Sequence, residues 1–188
     1  MITLDPKTSA LVLIDLQKGI LARPTAPYPI AEIVARGRAI AERFRAAKAP
    51  VVLVRVDWAA DFADAPRGQT DEAPLRPAGG LPPAFSALAD GLAAPGDILV
   101  VKRQWGAFTG TELDLQLRRR GIRTIALAGV ATNFGVESTA RHAWELDYNV
   151  VIVEDACAST SAEAHEFAVK SIFPRIARLT TTDALALA

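Results

Sequence analysis

Asp15, Asp57, Lys102 and Asp155 each close a short apolar run. A carboxylate and an ammonium group delivered to one place can carry acid–base chemistry. The runs are residues 10–15, 51–57, 98–102 and 150–155; a further run, 124–130, ends on Gly129 and Val130 instead of a charge. From Gly129 to Gly135 the chain then turns into a helix. The first N–H groups of a helix lack partners of their own and can hold an anion or a developing oxyanion. If these runs end on one edge of a sheet, acid, base and anion-holding donors converge there. The plainer possibility is a buried Asp–Lys ion pair that only ties strand ends together. The pattern alone leaves both open.

The elements that must do this positioning are legible in the hydrophobic pattern. The runs are apolar on successive residues rather than alternate ones, which describes strands buried on both faces. A sixth, weaker run covers 176–180. Between the runs lie helical periods. Ile30, Ile33, Val34, Gly37, Ile40, Ala41 and Phe44 share one face, opposite Glu32, Arg36, Arg38, Arg43 and Arg45. Thr111 can cap a helix carrying Leu113 and Leu117 that stops at Gly121, with Arg118, Arg119 and Arg120 in its last turn, where cations suit the helix dipole. Asn133 can cap a helix with Val136, Ala140, Ala143 and Trp144 inward. Thr160 and Glu163 fit a capping box, and Pro174 follows the end of that last long helix. Strands alternating with helices predict a parallel sheet covered on both faces, with ligands at the carboxyl ends of the strands near the switch in strand order. Residues 59–96, rich in proline and glycine, read as a long excursion with a short helix at 83–89.

Length and composition narrow the function classes. The 188 residues suit one domain, 1–188, with 51% hydrophobic and 22% charged residues. The 21 basic and 21 acidic side chains cancel, which removes the electrostatic case for nucleic acid. One cysteine, Cys157, permits no intrachain disulfide, and two histidines cannot form a histidine-rich metal site. No apolar stretch reaches a membrane span, and the first residues do not read as a signal peptide, so the expectation is a cytoplasmic protein. The nucleotide-binding glycine motifs, the G-x-S-x-G elbow and H-E-x-x-H are all missing; His165-Glu166 lacks the second histidine.

Several stretches together carry a family resemblance: Leu11 to Gln17, Lys102 followed by Gly106-Ala107-Phe108, Gly121-Ile122 leading to Gly129-Val130-Ala131-Thr132-Asn133, Val136 to Arg141, and Val153 to Ser159. In this order they resemble the isochorismatase-like hydrolases, also called the cysteine hydrolase superfamily. The G-V-E-S-T-A-R stretch resembles an uncharacterised bacterial subgroup. The resemblance implies an α/β fold, a three-layer α/β/α sandwich around a six-stranded parallel sheet, and homo-oligomers of two or more chains. It also implies an Asp–Lys–Cys triad, with Asp15 and Lys102 matching the first two. The nucleophile should follow Thr132-Asn133 by two residues, where this chain has Gly135. A thioester cannot form there, which argues against the family's amidase activities. Isochorismatases proper resemble this chain in having glycine at that position, and cleave a vinyl ether with water, using the aspartate as acid. This chain departs from them at Asp57, where they have glutamine, and in the turn at Ala131. Asp57-Trp58-Ala59 also lacks the histidine of the zinc-binding nicotinamidases, so no metal and no cofactor are expected. By the same resemblance the Val130–Ala131 peptide is cis and aims the turn.

The expectation is therefore a small-molecule hydrolase with Asp15 and Lys102 as its catalytic pair and Gly135 as a degenerate nucleophile position. Val130, Ala131, Asn133, Phe134, Gln17, Asp57 and Trp105 would hold the oxyanion or the substrate. Gln17 fits equally a role in the pocket or in the loop after the first strand. Trp58, Trp105 and Phe108 could wall a pocket or pack, and packing is favoured for Phe108. Arg55 could pair with Asp57 or clamp a carboxylate, and His142 reads as a surface or interface residue. Cys157 reads as a small packed hydrophobe. The rival readings are a catalytically inactive scaffold that binds a metabolite or partner, and a covalent hydrolase using Cys157.

Overall fold

The computed structural model describes residues 1–188 except Ala73 and Leu75. In chain order the elements are β1 (Ile2–Leu4), β2 (Ser9–Ile14), α1 (Ile30–Ala46), β3 (Val51–Val56), β4 (Ile98–Lys102), α2 (Leu113–Arg119), β5 (Thr124–Val130), α3 (Glu137–Glu145), β6 (Asn149–Ala158), α4 (Ala162–Phe167), α5 (Phe173–Ile176), β7 (Arg178–Thr180) and β8 (Leu185–Leu187). π-helical turns at Thr132–Val136 and Ala168–Ile172 lead into α3 and α5. Six parallel strands pair in the order β4-β3-β2-β5-β6-β7, and helices flank them in a three-layer α/β/α sandwich. All six residues of β2 are buried, as a strand covered on both faces requires. Each large apolar side chain so buried contributes about 2 kcal/mol. On α1 the buried stripe is Ile33, Gly37, Ile40, Ala41 and Phe44. No helix among the described residues is long and apolar enough to cross a membrane.

The chain winds from β2 to β3 to β4 in one direction and from β5 to β6 to β7 in the other. β2 and β5 are therefore neighbours at the switch in strand order, where a crevice opens beyond their carboxyl ends. Gly129 makes their close approach possible. It faces Ile14 across the ladder with φ +129°, and a Cβ there would lie 2.1 Å from the Ile14 carbonyl oxygen. A left-handed backbone and a clash with rigid main chain add up. Gly129→Ala is expected to cost roughly 3 kcal/mol of stability, read as a lower urea midpoint at unchanged slope.

Several local expectations are corrected. No helix forms at 83–89. Only isolated turns occur there, because the backbone groups of Phe85, Ala87 and Ala89 bond to Gly19, Lys18 and Leu16 instead. The cap of α4 is Ser161, whose Oγ accepts from Ala164 N at 3.1 Å, not Thr160. Pro174 sits inside α5, in its first turn, where its missing N–H costs nothing. Trp144 is 54% exposed rather than inward. Asp155 does not end its strand. β6 bulges between Ile152 and Cys157 and runs on to Ala158, and the Asp155 carboxylate accepts from Thr182 N at 2.7 Å and Thr182 Oγ1 at 2.9 Å. The sixth strand begins at Arg178, since Ile176 still belongs to α5. β1 and β8, each three residues long, form a parallel pair that the pattern did not announce.

Candidate active site

Asp15 follows the last residue of β2, and Lys102 is the last residue of β4, with β3 between those strands. The lysine stem must therefore cross the end of β3, which a long unbranched side chain can do. Its Nζ lies 2.7 Å from Asp15 Oδ2 and donates to the Trp105 carbonyl at 2.6 Å. The two side chains are 1% and 8% exposed, so solvent screens the pair little. Burial pushes the Asp15 carboxyl up to about 6, against the pull of Lys102. Its other oxygen, Oδ1, is buried without a partner among the described residues. Asp15 also holds φ +53°, a left-handed conformation that aspartate tolerates better than most residues.

The turn after β5 meets this pair from the other side of the switch. The Val130–Ala131 peptide is cis. Phe134 N and Val136 N both donate to the Ala131 carbonyl, at 3.1 and 3.2 Å. Gly135 is buried, and a Cβ built on it would lie 3.2 Å from both Asp15 Oδ2 and Lys102 Nζ. A side chain at 135 would thus point straight at the ion pair. Thr139 joins the turn to the loop after β4, donating to Gly135 O at 2.7 Å and accepting from Ala107 N at 3.1 Å. Asn133 is not a helix cap; the π-helical turn replaces that start, and its Oδ1 accepts from Ser159 Oγ.

The remaining candidates divide. Trp105 and Phe134 stay exposed, 62% and 37%, with ring centroids 4.8 Å apart beside the pair. Gln17 is fully buried and both ends of its amide are taken: Nε2 donates to Val56 O and Phe85 O, and Oε1 accepts from Val56 N. It fastens the end of β3 and the excursion to the loop after β2. Asp57 accepts from Trp58 N, and Arg55 donates to Ser86 O rather than pairing with Asp57. Trp58 packs between Phe62 and Phe85, and Phe108 packs with Tyr148. His142 is half-buried against Phe108. Cys157 is fully buried opposite Gly129, its thiol directed to Val153 O and pushed up to about 12 by burial. Alkylating reagents are expected to leave this thiol untouched in the folded protein, and Cys157→Ala to leave turnover unchanged. A thiol titration beside an activity assay checks both.

Reading the residues singly missed Thr132, Thr139, Ser159 and His165. His165 was legible only as a helical partner of Ala168, three positions on and likewise buried. Among the described residues no group of three or more His, Cys, Asp and Glu side chains could hold a metal ion. A depression of about 440 Å³ lies at the amino-terminal edge of the sheet, lined by residues including Asp5, Ser9, Thr124 and Asn149, remote from Asp15 and Lys102.

A doubly wound sheet with an Asp–Lys pair and a cis-peptide turn at its switch point is the arrangement the resemblance implied. Residues 9–184 match the isochorismatase domain family. The uncharacterized isochorismatase family protein YecD of Escherichia coli O157:H7 is 52% identical over 184 residues, 97% of each chain. A solved isochorismatase family protein from Burkholderia thailandensis is 48% identical, with a TM-score of 0.92 over 97% of this chain and 95% of that one. The ureidoacrylate amidohydrolase RutB of Methylobacterium radiotolerans is 31% identical over 91% of this chain and 75% of its own length. The chain belongs to the isochorismatase family.

Proposed function

We propose that this protein hydrolyses a small molecule by direct attack of water, with no covalent cysteine intermediate. The observation that carries this reading is Gly135. It occupies the position from which the family resemblance draws its thiol, and it offers no side chain there, although a Cβ would sit 3.2 Å from both Asp15 Oδ2 and Lys102 Nζ. In the proposed reaction Asp15, whose burial favours its protonated form, gives a proton to the leaving group. Lys102 holds charge and fixes Asp15. The turn from Val130 and Ala131 presents the N–H groups of Asn133 and Gly135 to developing negative charge. Trp105 and Phe134 supply an apolar wall for a flat substrate. Gln17 acts on the substrate only through the strand end and loop that it holds, while Asp57, half-buried just after β3, lines the substrate side.

The same reading groups this chain with family members that carry glycine in place of the nucleophile. It takes residues 1–188 as one domain, acting in the cytoplasm without a cofactor. The exposed Trp144 and Phe167 support a homo-oligomer, to be read from light scattering.

The test is a panel of hydrolysable small molecules, ethers and amides together, against wild type and Asp15→Asn. Turnover of an ether, lost in the variant, supports the reading. Specific binding of a metabolite without turnover overturns it in favour of an inactive scaffold. Gly135→Cys is expected to add weak amide hydrolysis, because Asp15 and Lys102 already stand where a thiol would need them. Its Cβ must displace Ile14 Cγ2, 2.9 Å away, so the gain is read against a melting curve of the same variant.

A further inference from the structure

Of the two polar side chains that open the turn, Thr132 is held from α4 and Asn133 from Ser159, the residue after β6. Thr132 is fully buried, and its Oγ1 lies 2.8 Å from Nδ1 of His165, itself 4% exposed on α4. The other ring nitrogen of His165 lies 3.9 Å from Glu154 Oε2, on the bulge of β6. Tyr28 meets the imidazole edge-on at 6.3 Å, and Arg36 covers Tyr28 while donating to Asp155 O. Asn133 is held in parallel by Ser159, whose backbone exchanges hydrogen bonds with Ala26. A buried imidazole that touches neither Asp15 nor Lys102 is thus bonded to the first residue of the segment that carries Gly135.

We propose that His165, acting through Thr132, is a positioning residue that sets the aim of the Asn133–Gly135 amides. This rests on the hydrolase reading for what the amides do, but not for where they point. A neutral ring with its proton on Nε2, the nitrogen 3.9 Å from Glu154, would leave Nδ1 to accept from the Thr132 hydroxyl. Burial lowers the pKa of His165, while the neighbouring Glu166 raises it. The charged groups around the ring are Glu154 on β6, Glu166 on α4, and Arg36 of α1 behind Tyr28; Asp155 is engaged by Thr182, and Glu166 by Lys170. The neutral ring accepts at Nδ1. Protonation would turn that acceptor into a donor and reverse the bond, the Thr132 hydroxyl then accepting. A bond of this kind matters because an error of about 1 Å in placing a catalytic group can cost about 10²-fold in rate.

The test uses the full chain with Thr132→Val, Thr132→Ser, His165→Leu and His165→Asn. Thr132→Val keeps the shape and removes the hydroxyl; His165→Asn keeps a polar atom near Nδ1. The first readout needs no substrate: the amide resonances of Asn133, Phe134 and Gly135 in two-dimensional NMR. They should move in Thr132→Val and His165→Leu, and return close to wild type in Thr132→Ser and His165→Asn. With a substrate from the panel, kcat should fall about 10-fold or more in the first two variants with KM little changed, and recover in the other two. The double variant Thr132→Val/His165→Leu should cost no more than either single change. If His165→Leu does not fold, the Thr132 pair decides alone. Unmoved amides, or equal losses in the conservative and disruptive variants, overturn the proposal. Displaced amides in a protein that turns over nothing would leave the positioning role standing and remove the hydrolase reading instead.

Discussion

Asp15→Asn is expected to lower kcat by at least about 10²-fold, the smaller end of what a positioned general acid contributes. Asparagine is the informative replacement. Its Oδ1 can still accept from Lys102, so the contact at 2.7 Å has a successor, while the transferable proton is gone. The pH profile adds an independent check with a definite sign. An acid must start protonated, and burial holds the Asp15 carboxyl at about 6. The rate in wild type is therefore expected to fall as pH rises through about 6. That limb should be missing from the residual activity of Asp15→Asn. A rate that rises through the same region would make Asp15 the base.

The second large effect is on stability. Lys102→Met keeps the length and apolar stem of the side chain and removes its charge, leaving Asp15 buried without its counter-ion. Removing one partner of a buried pair costs about 3–5 kcal/mol, far more than the loss of an exposed pair. The loss should depend on pH in a specific direction. Lys102 is what opposes the upward push of burial on Asp15, so without it the folded-state pKa rises further above the unfolded value. A group raised in the folded state favours folding below its unfolded pKa, and that contribution is lost as pH rises through the folded pKa. Lys102→Met should thus be weakest at alkaline pH and regain stability on acidification, until other carboxylates protonate. Urea titrations at several pH values would show this. A cost independent of pH would mean that the lysine acts by packing alone.

How much of this was legible in the sequence follows from which forces are local. The strands were readable because a parallel strand buried on both faces must be apolar at successive positions, as residues 10–14 and 51–54 are. Asp15 and Lys102 were readable because charges that end such runs fall on one edge. Asp155 misled for the same reason: the bulge in β6 is set by pairing with β5, a relation between distant segments that no single run displays. The segment 83–89 misled because its backbone is engaged by residues 16–19 rather than by itself. Trp144 carries the helical period of α3 yet faces outward, since the period tells which residues share a face but not how wide the covered stripe is. The contact of Thr132 with His165 spans separate elements and left no trace in spacing.

The seam formed by Gln17 bears on how such a protein can diversify. The chain leaves the sheet after β3, makes its excursion, and is pinned back onto residues 16–19 before β4 begins. The described residues between form a loop whose two ends are already fixed a few residues from Asp15. Lengthening it costs only closure entropy, about 0.6 kcal/mol for each doubling. Insertions there would be absorbed before they reach the carboxylate. Asp15 and Lys102 can stay constant while the rim around them varies, and under the proposed reaction one scaffold would present the same proton donor to differently shaped molecules.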